Sequence, residues 1–202
     1  MSFHPLMHYD ARFHKSERKL ADEGPPFAFT PERRAKLDEL LTQYPPDRKR
    51  SAVLAALYLV QEQAGYLTAN GMRHIAPLLE MTPAEVEDVA TYYVMFYREP
   101  VGRYVLQVCR TLSCALMGAE RVTEALSEKL GIGVGGTDPS GMFTLLEFEC
   151  LGACDRAPVV MVNNELWHEC LKPEDAGKLV DAIREKGAAA LSGCHLDVEH
   201  RQ

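Results

Sequence analysis

Along residues 30–97, apolar side chains return every three or four positions, the period of helices with one buried face. Thr30-Pro31 offers an N-cap followed by proline in the first turn, and Leu37, Leu40, Leu41 and Tyr44 form a stripe that Pro45-Pro46 ends. A second helix is predicted over Ser51 to Ala64, with Val53, Leu54, Leu57, Tyr58 and Gln61 on one side and Gly65 as its stop. A third follows Thr68. The "TPAE" at 82–85 is a capping box that opens a fourth helix, carrying Val86, Val89, Ala90, Tyr93 and Val94 toward a core. The aromatics Tyr92, Tyr93, Phe96 and Tyr97 are expected to pack there. Residues 1–29 are polar, close with Pro25-Pro26, and read as an extended arm.

After "REPVGR" the period changes. "YVLQV" (104–108), "MFTLLEFE" (142–149) and "VVMV" (159–162) read as strands, and Asn163-Asn164 as a hairpin turn into "ELWHE". "CALMGAERVTEALSEKL" places Leu116, Ala119, Val122, Leu126 and Leu130 along one helix face. Pro173 opens a last helix, with Ala176, Leu179, Val180 and Ile183 inward and Gly187 at its end. The order strand, helix, strand, strand, strand, helix matches half of a thioredoxin-like fold, and the first crossover should join parallel strands. The predicted class is therefore α+β: a small helical bundle over 30–97, a thioredoxin-like α/β domain over 98–187, and a tail over 188–202 that frays.

Composition narrows the partners. The 202 residues carry a formal net charge of -7, against the basic face that nucleic acid requires. No apolar run reaches membrane-spanning length, so no direct membrane insertion is expected. The N-terminal residues lack the apolar centre of a signal peptide, and Asp10, Glu17, Asp22 and Glu23 do not suit an acid-poor transit peptide. A cytoplasmic location follows, where thiols stay reduced and a disulfide framework is disfavoured.

That gives weight to four of the six cysteines. Cys109 and Cys114 are separated by four residues, Cys150 and Cys154 by three, with 35 between the pairs. On the predicted scheme Cys109 ends the first strand, Cys114 starts the next helix, Cys150 ends the second strand, and Cys154 lies in the following loop. Parallel strands would bring these loops to one sheet edge, where α/β ligand sites form. The gaps suit a [2Fe-2S] rhomb with two thiolates per iron, while a structural zinc remains open on spacing alone. Free amides at the helix start and the small Gly152-Ala153 would let backbone approach the sulfurs. Thiol–disulfide catalysis lacks its usual Cys-x-x-Cys. "GIGVGG" (131–136) follows a helix and leads toward a strand, the reverse of a dinucleotide fingerprint, and reads as a helix-ending loop. His4, His8 and His14 read as solvated tail residues. Asp155 and Arg156 flank the last cysteine as candidate tuning charges, and Pro158 stands where thioredoxin-like folds often hold a cis proline.

"VCRTLSCALMGAE" and "FTLLEFECLGACDRAPVVMVNNELW", with "QEQAGYL" and "VEDVATYYVMF" before them, resemble the thioredoxin-like [2Fe-2S] ferredoxin family, to which the E subunit of NADH-quinone oxidoreductase in respiratory complex I belongs. The resemblance covers roughly residues 30 to 187. It implies that Cys109, Cys114, Cys150 and Cys154 bind one [2Fe-2S] cluster, whereas Cys170 and Cys194 match no ligand position. It implies an electron-transfer subunit, part of an NADH dehydrogenase but without the flavin chemistry. NADH and FMN are expected on a partner flavoprotein in the peripheral arm of a membrane-bound complex, on its cytoplasmic face. An equivalent diaphorase subunit of an NAD-linked hydrogenase or formate dehydrogenase would keep the cluster. A zinc-stabilised interaction module would not.

Overall fold

The computed structural model describes residues 23–191, which divide into two compact units at Pro100 and Val101. The first unit holds four helices, α1 (Pro31–Leu41), α2 (Val53–Ala64), α3 (Ala69–Ile75) and α4 (Pro83–Tyr92). Their starts are chemical: the Thr30 and Thr68 hydroxyls accept amides of the first turns, and Thr82 and Glu85 form a reciprocal capping box. Leu37, Leu57, Val60, Leu67, Ile75, Leu79 and Val86 meet in one core. Phe27 and Phe29, near the end of the predicted arm, pack edge-on against His74.

Three local expectations change. A 3-10 run, Pro46–Ala52, precedes α2, so that helix opens at Val53 rather than Ser51. Helix α4 stops at Tyr92 because Tyr93 turns extended; Tyr92, Tyr93 and Val94 are consequently exposed, at 74%, 36% and 50%, rather than packed. Phe96 does enter the core, against Tyr58. The cause is Gln61, buried on α2. Its amide donates to the Met95 carbonyl at 3.1 Å and accepts the Tyr97 amide at 2.7 Å, turning the chain after α4.

The second unit is a four-stranded sheet of order β2-β1-β3-β4, with β1 at Tyr104–Cys109, β2 at Phe143–Phe148, β3 at Val160–Val162 and β4 at Leu166–His168. Strands β1 and β2 are parallel, from Tyr104 beside Phe143 to Cys109 beside Phe148. Strands β3 and β4 continue the sheet antiparallel. Between β1 and β2 run α5 (Leu112–Leu116) and α6 (Ala119–Leu130), where the sequence suggests a single helix. Gly118, at φ +93, breaks it and restarts the chain at a new angle. Leu116 therefore leaves the apolar stripe and is 78% exposed. Val122 and Leu126 of α6 and Val180 and Ile183 of α7 (Pro173–Lys186) share a core with Leu106, Val108, Phe143 and Leu145. The final 3-10 turn, Gly187–Leu191, buries Leu191 in that core rather than fraying from Ala188. The glycine run is the helix-ending loop expected of it: Gly131 caps α6 and Gly136 pairs with Leu145. His4, His8, His14 and Cys194 lie outside the described residues.

Asn163 and Asn164 both take positive φ, as a two-residue hairpin turn of type I′ requires. The Asn163 side-chain carbonyl accepts the Val105 amide at 2.7 Å, so it extends the sheet ladder as a strand residue would. Gln107, fully buried in β1, donates to Asn164 Oδ1 at 2.6 Å and accepts the Asn164 amide at 3.0 Å. Gln107→Leu removes both bonds and should cost about 1–3 kcal/mol. The urea midpoint of the variant should fall at unchanged slope, and an unmoved midpoint would show that the turn does not need Gln107.

Burial on β4 pushes the His168 imidazole down to about 4. The unfolded chain, titrating near its ordinary 6.5, binds the proton first. Stability should therefore fall as pH drops from about 6.5 toward 4, and His168→Gln should flatten that slope. Proton-detected titration of His168 checks the cause, since an ordinary midpoint would remove it.

Candidate metal centre

The parallel pairing of β1 and β2 sends two chain segments out of the same end of the sheet. Cys109 is the last residue of β1, and its amide donates to the Val159 carbonyl at 3.0 Å. Cys114 follows on α5 and is buried, like Cys109. Cys150 lies two residues beyond β2, and Cys154 opens a 3-10 turn, Cys154–Arg156, before β3; both are exposed. The four thiols that the sequence singles out thus arrive on two chain segments at one end of the domain. Cys170, by contrast, lies past β4, exposed and at φ +51.

The sulfurs fall into two pairs. Cys150 Sγ and Cys154 Sγ are 3.7 Å apart. Two thiolates on one tetrahedral metal, with bonds of about 2.3 Å, stand about 3.7 Å apart. Cys109 and Cys114 lie near enough that each shifts the other's titration. The pairs also feel each other's charge, Cys109 acting on Cys150 and Cys154 on Cys114. Two adjacent dithiol corners are the donor set for a binuclear iron–sulfur rhomb. No group of three or more His, Cys, Asp or Glu among the described residues closes on a single-ion site.

Hydrogen bonds to sulfur set the protonation of each thiol. Burial pushes Cys109 up, but donors from the Thr111 hydroxyl and amide and the Leu151 amide outweigh it and leave it below the ordinary thiol value. The hydroxyl stands 3.3 Å from Cys109 Sγ. Burial, then the neighbouring Cys109, pushes Cys114 up to about 11. The Gly152 amide, 3.4 Å from Cys150 Sγ, and then Cys154 hold Cys150 low. Cys154 is raised, first by its bond to Cys150. The Gly152 amide donates to sulfur, and the amides of Thr111, Leu151 and Val159 lie close enough to lower thiol titrations.

Beyond the last thiol, Arg156 sits 3.6 Å from Glu169 and 3.8 Å from Asp155, so these charges pair with each other. The Ala157-Pro158 peptide is cis. The sequence reading omits Thr111, Leu151 and Trp167 from the site. A hydroxyl two residues after Cys109 is a visible signal for Thr111; Leu151 acts through backbone, and Trp167 comes from a strand 13 positions after Cys154, where only folding brings it close.

The thioredoxin-like [2Fe-2S] ferredoxin family matches residues 37–184. The chain is 42% identical over 148 residues to NADH-quinone oxidoreductase subunit 2 of Thermus thermophilus, covering 73% of this chain and 82% of the relative. It is 44% identical over 166 residues to the E subunit of NADH-quinone oxidoreductase from Mycobacterium tuberculosis, covering 80% of this chain and 65% of that longer protein. Among solved structures, the NAD+-reducing [NiFe]-hydrogenase in the H2-reduced state shares its fold with a TM-score of 0.59. That likeness has 20% identity and covers 69% of this chain and 23% of the hydrogenase chain. The chain belongs to the thioredoxin-like [2Fe-2S] ferredoxin family.

The thiols should also differ in reactivity. In metal-free protein, Cys150 is exposed with a lowered titration, so iodoacetamide should alkylate it before Cys154, and the buried, raised Cys114 last. Timed peptide mapping at neutral pH reads the order. Cys114 reacting first would contradict the protonation pattern.

Proposed function

We propose that this member of the family holds one [2Fe-2S] cluster on Cys109, Cys114, Cys150 and Cys154. We infer that it works as the electron-transfer subunit in the NADH dehydrogenase module of a respiratory NADH:quinone oxidoreductase. The observation that carries the reading is the convergence of two dithiol corners at one sheet end, with amides aimed at their sulfurs. Relatives that are subunits of NADH-quinone oxidoreductase supply the host complex.

When bound, the cluster supplies a one-electron site. The protein's part is to hold four thiolates in place, exclude water from Cys109 and Cys114, and direct loop amides at sulfur. Hydride chemistry then falls to FMN and NADH on a partner flavoprotein, beside which this chain accepts or returns single electrons. No helix among the described residues is long and apolar enough to cross a membrane.

Protein purified without oxygen should be reddish-brown, with about two irons and two acid-labile sulfides per chain. Cys109→Ala or Cys154→Ala should abolish the chromophore or make it too labile to purify, while Cys170→Ala keeps it. A colourless chain with one tightly held zinc would establish the interaction-module alternative instead. Capture from native cells in gentle detergent should bring down a flavoprotein with membrane quinone-reductase subunits. A hydrogenase or formate dehydrogenase chain in their place would keep the cluster but move the enzyme to soluble metabolism.

A further inference from the structure

Trp167, the chain's single tryptophan, stands on the edge strand β4, 38% exposed. Its indole Nε1–H donates to the Leu151 carbonyl at 3.2 Å. Leu151 is the residue after Cys150, in the loop joining two of the sulfurs. The same peptide group carries the Gly152 amide, which reaches Cys150 Sγ at 3.4 Å. An indole bond to its carbonyl fixes the plane of the Leu151–Gly152 peptide and so the aim of the Gly152 amide. The segment after β4 grips the same loop at its far end: the Cys170 amide donates to the Arg156 carbonyl at 2.7 Å, and Glu169 pairs with the Arg156 guanidinium.

We propose that Trp167 is a positioning residue for the cluster, its indole holding the 150–154 loop so that backbone amides stay directed at the ligand sulfurs. The inference rests on the cluster reading above. Donors to sulfur stabilise the more negative, reduced state and raise the potential, so a loop released from Trp167 should carry a cluster of lower potential. It should also lose the cluster faster, because the loop then opens without first breaking the indole bond.

The test is Trp167→Phe in the full chain, which removes the indole donor from a partly exposed site. The expected variant has wild-type iron content, a more negative midpoint in a redox titration followed by electron paramagnetic resonance, and cluster loss to a chelator about three- to tenfold faster, the worth of one hydrogen bond. Because no other tryptophan exists in the chain, growth on the benzothienyl analogue replaces this side chain alone and substitutes sulfur for N–H at nearly constant shape. It should reproduce both changes. Wild-type potential and loss rate in either replacement would overturn the proposal. If wild-type protein carries no [2Fe-2S] spectrum, the cluster reading fails by itself. Hydrogen exchange at the Gly152 amide in metal-free protein then decides whether Trp167 orders the loop: faster exchange after donor removal supports it, and unchanged exchange overturns it.

Discussion

The parallel pairing of β1 with β2 is the constraint on which the site depends. Parallel strands leave a sheet at the same end, so a residue ending one strand and a loop following its neighbour become spatial neighbours without any contact between them in sequence. Cys109 beside Phe148 sets that meeting, because one further residue past Glu149 places Cys150 in the same loop cluster. A shift of this register by one residue would turn either Leu106 and Val108 or Phe143 and Leu145 away from the core they share with α6 and α7. The apolar core therefore fixes the geometry of the thiols. The sulfurs need no strong contact of their own to find each other.

Buried amides perform the corresponding task where apolar packing cannot specify direction. Gln61 bends the chain after α4, Gln107 holds the hairpin turn, and Asn163 supplies the ladder bonds that end with β3. Each satisfies backbone groups that would otherwise be lost to burial, and each works only at one orientation. The hairpin held by Gln107 is the one that carries Trp167, Glu169 and Cys170 to the loop of Cys150 and Cys154. Core polarity and site geometry are thus joined through β3 and β4, two strands of three residues each, the first buried along its length and the second half-exposed.

Much of this could be read from residue types. Thr30, Thr68 and Thr82 mark helix starts because a hydroxyl can satisfy an open first turn, and Asn163-Asn164 marks a turn because asparagine tolerates positive φ. The paired cysteine gaps mark the candidate site. What could not be read lies where a long-range hydrogen bond overrides a local pattern. Tyr93 and Val94 continue a helical stripe, yet Gln61, more than thirty positions away, turns the chain before they can bury. Leu116 continues a stripe across Gly118, and only the backbone angle at that glycine tells that the helix restarts. Trp167 carries no local signal at all, because its partner is a carbonyl.

The unequal burial of the two thiol pairs has a physical sense for an electron carrier. Cys109 and Cys114 sit within the core shared by sheet and helices, where desolvation penalises negative charge and makes each donor to sulfur count for more. Cys150 and Cys154 stand at the surface on a small-residue loop, where a second protein can approach and charge is easier to hold. A site buried on all sides would keep its partner distant, and one exposed on all sides would leave its potential to solvent. On the proposed function, placing one corner in the core and one in a loop lets the fold set the electrostatics from within and leaves the other corner open to a partner. The loop must then be held by something other than the core, and the β3–β4 hairpin is the element in contact with it.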